Sequence, residues 1–199
     1  MIQLAVVLLV IFSVLPSRSR AAEVAPPRPN LLLIYVDNVG YGDLGAYGNR
    51  EVKTPRLDQL AREGARCTDF YVVTTSCTPS RGAVLTGRYP LRNGLSHQLN
   101  GSAENWNGIG LPQRERLIPQ YLKEVGYATA CFGKWNIGFA PGSRPTERGF
   151  DEFFGFRSGN IGYYEHLYNG EYDLFRGIER HRVEGYAPDL FADATNDFI

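Results

Sequence analysis

Short apolar runs along this chain predict strands that are covered on both faces of a sheet. Residues 31–36 carry no charged side chain and are followed at once by Asp37 and Asn38. Residues 128–132 form a second apolar segment, and residues 66–73 are predicted as a strand between the two. Runs that do not alternate apolar with polar positions are typical of buried parallel strands.

Helical signals alternate with these strands. Thr54 and Pro55 provide an N-cap and a first helical position, and Gly64 provides an end to that helix. Further helices are predicted over residues 119–126 and residues 189–199, where apolar side chains recur on one side. Strands that alternate with helices predict an α/β architecture.

The first residues have the pattern of a secretion signal. Residues 4–15 form an apolar run that only Ser13 interrupts, and this run is too short to span a bilayer. Ser19 and Ala21 are small residues at plausible cleavage-site positions. We therefore expect residues 1–21 to be a signal peptide, and the mature chain to be secreted or periplasmic without a membrane anchor.

The overall charge excludes several classes of partner. The 21 basic and 21 acidic side chains cancel, so no bulk field favours nucleic acid or an anionic membrane. The hydrophobic content of 43% is that of an ordinary globular chain.

Isolated cysteines and histidines add little chemistry. Cys67 and Cys131 fall in predicted core strands, so we expect two buried thiols, although an oxidising compartment would permit a disulfide. His97, His166 and His181 have no metal-ligand spacing and are interpreted as surface or loop residues.

The most informative segment is residues 77–88, with the sequence CTPSRGAVLTGR. Pro79 can open a helix, because its missing N–H would lack a partner in the first turn anyway. Cys77 then lies at a helix N-terminus, where backbone N–H groups and the macrodipole favour anions. Arg81, about one turn further on, can point back toward residue 77. The alternative is a buried thiol before a helix, with an arginine that caps nearby carbonyl groups.

This segment resembles the signature of the type I sulfatases, C-x-P-S-R-x-x-x-L-T-G-R, at every fixed position. In that family a maturation enzyme oxidises the cysteine to formylglycine, whose hydrated aldehyde is the nucleophile. The resemblance implies that residue 77 attacks sulfur through one hydrate oxygen and then releases sulfate through the second hydroxyl. It also implies that Arg81 stabilises the deprotonated hydrate and the sulfate oxygens.

Asp37 and Asn38 follow the first predicted strand, at the carboxyl end where open α/β sheets bind ligands. Residues 29–48 resemble a second sulfatase motif, in which two adjacent aspartates hold a divalent cation. The resemblance implies a Ca²⁺ ion held by Asp37, Asn38 and residue 77, the formylglycine derived from Cys77. The carboxamide oxygen of Asn38 can still ligate Ca²⁺, but it lowers the charge of the site by one. The alternative is an Asx turn that ends a strand.

The third motif, GKWNIG at residues 133–138, follows the second apolar run. A lysine here can project its ammonium into the crevice of Asp37 and Cys77, although such a lysine taken alone is usually a solvated charge. The segment is similar to the sulfatase pattern G-K-W-H-x-G, which implies that Lys134 binds the substrate sulfate. Asn136 replaces a histidine that commonly contacts the formylglycine hydroxyl, and an amide cannot act as an acid or base near neutral pH.

The resemblance covers residues 29–199 and implies an alkaline-phosphatase-like fold, a mixed sheet with helices on both faces, incomplete in this chain. We therefore expect the N-terminal part of the catalytic domain of a Ca²⁺-dependent sulfatase that hydrolyses an aryl or carbohydrate sulfate. The substrate is then a sulfated small molecule or glycan, and the formylglycine-generating maturation enzyme is a partner. Two alternatives stay open. One is a phosphodiester or phosphonate-ester hydrolase of the same superfamily, and the other is a non-catalytic sulfated-glycan-binding protein, which Asn38 and Asn136 suggest.

The family also implies that this domain is truncated at its C-terminal side, since such sulfatases run to several hundred residues. Asp37, Asn38 and residue 77 are too few ligands for a cation that prefers roughly six to eight oxygens. We expect the 199 residues alone to bind Ca²⁺ weakly, to associate through exposed apolar surface and to hydrolyse no sulfate ester.

Overall fold

A computed structural model describes residues 28–99 and 110–199. The chain divides into two units, Met1–Asn38 and Val39–Ile199. The predicted signal peptide, residues 1–21, lies outside the described residues.

In the first unit, the strand predicted over residues 31–36 is absent. The segment belongs to no strand, and its apolar side chains are exposed, with Leu31 at 63% and Ile34 at 62%. An apolar run becomes a buried strand only where a neighbouring strand pairs with it, and no β-pairing of the described residues involves this unit. The prediction of a buried strand here is therefore wrong for this structure.

The second unit holds all the regular elements of the described chain. Its α-helices are α1 (Pro55–Glu63), α2 (Cys77–Thr86), α3 (Pro90–Asn93), α4 (Ile118–Glu124) and α5 (Ala187–Phe198). Its strands are β1 (Ala130–Lys134), β2 (Glu152–Phe156), β3 (Leu167–Tyr168), β4 (Glu171–Tyr172), β5 (Phe175–Arg176) and β6 (Glu179–Arg180). Short 3₁₀ turns occupy Tyr41–Asp43, Gly45–Tyr47 and Pro145–Arg148. The predicted helices over residues 55–64, 119–126 and 189–199 correspond to α1, α4 and α5 within two residues at each end.

The main sheet is mixed, with the strand order β1-β2-β5-β6. The strands β1 and β2 are parallel, in a register that sets Ala130 opposite Glu152 and Lys134 opposite Phe156. The strand β5 pairs antiparallel with β2, and β6 pairs antiparallel with β5. The strands β3 and β4 form a separate antiparallel pair. The strand predicted at residues 128–132 is thus present as β1.

Helices cover both faces of this sheet. Cys131 of β1 packs against the hydrophobic core together with Leu85 of α2. The next side chain, Phe132, points to the opposite face, where its ring centroid lies 6.0 Å from that of Phe198 in α5. The expected arrangement of helices on both faces is therefore observed for α2 and α5.

The core continues from β1 into the residues that follow it. Trp135 and Ile137 are almost completely buried, and the Trp135 indole N–H donates to the Ser143 carbonyl at 2.9 Å. They pack with a cluster of buried apolar side chains: Leu95, Leu99, Leu111, Leu117, Phe139, Phe153 and Phe175. Because Trp135 and Ile137 are the neighbours of Asn136 in the chain, their burial in the core fixes the backbone at Asn136.

Residues 66–73 also differ from prediction. They form no strand, and Cys67 is exposed instead of lying in a core strand. The second predicted thiol, Cys131, is partly buried and packs against the hydrophobic core, and burial raises the pKa of its thiol to about 12. All three cysteines are free. His166 departs from the expectation of a surface residue, because it is buried with its ring nitrogens beside the Gly185 carbonyl and the Tyr172 hydroxyl.

Candidate active site

Cys77 is the first residue of α2, as the proline at the third motif position predicts. Ser76 is the N-cap in an extended conformation, and its carbonyl accepts the Ser80 N–H at 3.1 Å. At the other end Gly87 adopts a left-handed conformation with φ 66°, and its N–H donates to the Ala83 carbonyl. The partly buried Cys77 side chain therefore leaves the chain at the positive end of a ten-residue helix.

A loop residue, Gln98, holds both neighbours of Cys77. Its side-chain oxygen accepts the Ser76 hydroxyl at 2.9 Å and the Thr78 backbone N–H at 3.1 Å. The buried hydroxyl oxygen of Thr78 in turn accepts the Leu99 N–H at 3.1 Å. Sequence reasoning missed Gln98, since no motif includes it and nothing in the local pattern signals a contact 20 residues back along the chain.

Arg81 connects α2 to the end of β1. Its guanidinium donates to the Lys134 backbone carbonyl at 2.9 Å, across 53 positions of sequence. Its charge also reaches the Cys131 thiol, where it opposes the stronger effect of burial on the pKa. The structure therefore brings the Arg81 side chain of α2 beside the last residue of β1.

The parallel pairing of β1 and β2 continues past the end of both strands. The Trp135 N–H donates to the Phe156 carbonyl at 2.9 Å, and the Asn136 N–H donates to the Arg157 carbonyl at 3.1 Å. Asn136 has φ 53°, a left-handed conformation that asparagine adopts more readily than most residues. This extension places residues 157–159 alongside Asn136.

The Asn136 side chain is buried without a partner among the described residues. Its exposure is 0%, and neither its oxygen nor its nitrogen has a hydrogen bond. Leaving a buried polar group unpaired costs about 1–3 kcal/mol, so native proteins rarely retain one without a role. Its amide nitrogen lies 4.0 Å from the point that a Cβ on Gly159 would occupy, and that of Gln98 lies 3.9 Å from the same point. Two carboxamides thus converge on Gly159.

The loop beyond β2 is held by buried charges. The Ser158 N–H donates to the Asp173 carboxylate at 2.8 Å, and burial raises the pKa of that carboxyl group. The Arg157 guanidinium lies 3.7 Å over the Phe175 ring, and burial lowers its pKa to about 10. Ser158 itself is completely buried. These contacts keep residues 157–159 in place beside Asn136.

Asp37 and Asn38 belong to the first unit and are described only within it. Both are exposed, and Asn38 has a left-handed backbone with φ 57°. Since residues 31–36 form no strand here, the two residues do not end one. Their assignment as Ca²⁺ ligands with residue 77 stays a prediction.

Sequence comparison identifies relatives of this chain. The model of the Sulfatase family matches residues 29–199. The chain is 40% identical over 162 residues to N-acetylgalactosamine-6-sulfatase of Homo sapiens, an alignment that covers 79% of this chain and 31% of that protein. This chain therefore spans about a third of the length of the curated relatives that it matches.

Solved structures show the same likeness. Ps i-CgsB superimposes with a TM-score of 0.73 and 32% identity, over 81% of this chain and 39% of that one. BT4656, solved in complex with its substrate D-glucosamine-2-N,6-O-disulfate, has a TM-score of 0.69 and 28% identity, over 86% of this chain and 31% of that one. The predicted alkaline-phosphatase-like fold is thereby confirmed for the part that this chain supplies.

Proposed function

Because this chain belongs to the sulfatase family, we propose that the protein hydrolyses a sulfate ester through formylglycine formed from Cys77. The observation that carries the proposal is the position of Cys77 at the start of α2, in a signature matched at every fixed position. A glycan sulfate is the favoured substrate class. It is supported by the relative that acts on N-acetylgalactosamine-6-sulfate, as its name states, and by the glucosamine disulfate bound to BT4656.

Formylglycine would supply a hydrated aldehyde, a neutral oxygen nucleophile whose second hydroxyl can later release sulfate. The residues of this chain prepare its surroundings. The N-terminus of α2 places the positive end of the helix dipole beside residue 77, where it favours an anionic ester. Arg81 and Lys134 add two positive charges, and the hydrogen bond to the Lys134 carbonyl keeps the Arg81 guanidinium beside the backbone of Lys134.

Asn136 takes a role that does not require titration. A carboxamide can donate and accept hydrogen bonds, but it cannot exchange a proton with the ester near neutral pH. Its buried side chain has no hydrogen-bond partner among residues 28–99 and 110–199. This is consistent with a carboxamide that binds a hydroxyl of residue 77 or a sulfate oxygen once substrate is present. Proton transfer to the leaving alcohol is then assigned to a group other than Asn136.

The described residues of this chain offer the type of ligand that Ca²⁺ prefers, but too few of them to complete its coordination. Asp37 and Asn38 carry oxygen donors, the class that Ca²⁺ prefers. In the described part of the chain, however, no three His, Cys, Asp or Glu side chains gather into a possible metal site. We infer that Asp37, Asn38 and residue 77 supply ligands to Ca²⁺, together with groups outside the described residues.

The location follows from the same proposal. A formylglycine-generating enzyme would act on residue 77, and the signal-like residues 1–21 favour a secreted or periplasmic protein. None of the helices within residues 28–99 and 110–199 is long and apolar enough to cross a membrane.

The test uses the full-length protein and two cysteine variants. Mass spectrometry of the peptide containing residue 77 should show an aldehyde in place of the thiol, and Cys77→Ala should abolish hydrolysis of aryl and glycan sulfates. Cys67→Ala is the matched control, because this thiol is exposed and free, and it should retain full turnover. Faster turnover of an aryl phosphonate than of the matching sulfate would favour the phosphonate-ester alternative. Binding of a sulfated glycan without any turnover, by protein that carries the aldehyde, would favour a non-catalytic role.

A further inference from the structure

Gln98 supplies the cap of α2 from outside the helix. The first-turn N–H groups of a helix lack intrahelical partners, and the side chain of the N-cap residue usually accepts one of them. Ser76 makes no such bond, and its hydroxyl donates to Gln98 instead. The Thr78 N–H is accepted by the same Gln98 oxygen. The residues on both sides of Cys77 are thus held by a single side chain.

This cap is tied to the hydrophobic core. Leu99, the next residue after Gln98, is 2% exposed and belongs to the core cluster. Its N–H donates to the Thr78 hydroxyl oxygen, so the loop also donates a hydrogen bond to the helix. A cap made by Ser76 itself would move with the segment before the helix, whereas this one moves with the core.

The other end of the Gln98 carboxamide faces the loop beyond β2. Its amide nitrogen lies 3.9 Å from the Cβ position of residue 159, and the unpaired amide nitrogen of Asn136 lies 4.0 Å from that position. One side chain therefore spans the space between the start of α2 and the neighbourhood of Asn136. A shift of Gln98 would change the placement of residue 77 relative to Asn136.

We propose that Gln98 is a positioning residue. By capping α2 from a loop that is tied to the core, it fixes the position of residue 77 relative to Asn136. The inference rests on the proposed function, since it requires residue 77 to be the reacting group. It assigns no contact between Gln98 and the reacting atoms.

The decisive variant is Gln98→Leu in the full-length protein, because leucine has a similar size and no hydrogen-bond acceptor. We expect kcat per mole of aldehyde to fall on the order of 10- to 100-fold, as for other small misplacements of reacting groups, with little change in KM. Exchange of the Thr78 amide hydrogen should become faster. Normalising by the aldehyde content, measured by mass spectrometry, separates positioning from incomplete maturation.

Gln120→Leu is the matched control. The Gln120 side-chain oxygen accepts the Leu117 N–H at 2.9 Å at the start of α4, so this variant removes a similar cap at another helix. It should leave kcat unchanged. Gln98→Glu is the conservative variant, since a carboxylate keeps the acceptor. It should restore slow exchange at Thr78 and most of kcat, while its negative charge raises KM for the anionic ester.

The outcomes separate this inference from the proposed function. Wild-type kcat in Gln98→Leu, or equal losses in the Gln98 and Gln120 variants, would overturn the positioning role while sulfate-ester hydrolysis stands. A wild-type protein that carries the aldehyde and hydrolyses no sulfate ester would overturn the proposed function, and the positioning role with it. A loss of kcat confined to Gln98→Leu, with recovery in Gln98→Glu, supports the inference.

Discussion

The contact between β1 and β2 at Gly155 offers a sharp test of the structure. Gly155 lies opposite Gly133 in the parallel register, and Gly133 has φ 91°, a conformation that favours glycine. A Cβ added to Gly155 would lie 1.9 Å from the Gly133 carbonyl oxygen and 2.7 Å from its nitrogen. These atoms belong to backbone and cannot rotate away, so Gly155→Ala must push the two strands apart by about 1 Å or more.

We expect Gly155→Ala to reduce both the stability of the fold and the turnover of the enzyme. Overpacking of a core typically costs about 1–3 kcal/mol, and we expect the upper part of that range here because the clash is with backbone. The same shift displaces Lys134, the next residue of β1, relative to Arg81, whose guanidinium donates to the Lys134 carbonyl at 2.9 Å. A displacement of about 1 Å at a reacting site can reduce turnover roughly 100-fold.

The assay is urea denaturation together with turnover of an aryl sulfate. Gly42→Ala is the matched control, since a Cβ there meets no atom within 4 Å and its backbone φ is not positive. It should change the free energy of unfolding by less than about 0.5 kcal/mol, as surface substitutions usually do. If Gly155→Ala is as stable and as active as Gly42→Ala, the strands do not approach as described, and the placement of Lys134 beside α2 is refuted.

Three further predictions concern Asn38, Asn136 and Asp173. Asn38→Asp should tighten Ca²⁺ binding measured by calorimetry, because it restores a negative charge beside Asp37; unchanged affinity would mean that residue 38 does not face the ion. Asn136→His should add a titration near neutral pH to the profile of kcat/KM, and histidine tolerates the left-handed backbone at this position. A profile identical to that of the wild type would place the side chain outside the site. Asp173→Asn keeps an acceptor for the Ser158 N–H and removes a carboxyl group whose pKa is raised by burial. Because the folded state holds that proton more tightly than the unfolded state, the wild-type carboxyl stabilises the fold most below its ordinary pKa. That contribution is lost as the pH rises through the raised pKa. The stability of Asp173→Asn relative to wild type should therefore increase as the pH rises from the ordinary pKa of an aspartate through the raised pKa, and a difference in denaturation midpoints that does not change with pH would contradict the raised pKa.

Features with a local physical cause could be predicted from the sequence. Prolines mark the first turn of α1, α2 and α4, and a proline in a first turn gives up no hydrogen bond. Pro79 places Cys77 at a helix N-terminus for the same local reason. The apolar segment at residues 128–132 is β1 because it has both a parallel partner and helices on both faces.

Pairing and burial could not be predicted, because they depend on remote parts of the chain. Residues 31–36 are more apolar than β1, yet they form no strand in this structure, since nothing described pairs with them. A strand needs a neighbour for its N–H and carbonyl groups, and the sequence of the strand does not reveal whether that neighbour is present.

The sequence by itself determined which chemical groups the site can use: a cysteine at a helix start, an arginine one turn later, and a lysine followed by a carboxamide. Only the tertiary structure decided which of them meet and what holds them. Arg81 bonds the Lys134 carbonyl across 53 positions, and Gln98 caps α2 across 20. Caps and backbone preferences act within one helical turn and so appear in the local sequence, whereas these contacts exist only after the core has brought distant segments together.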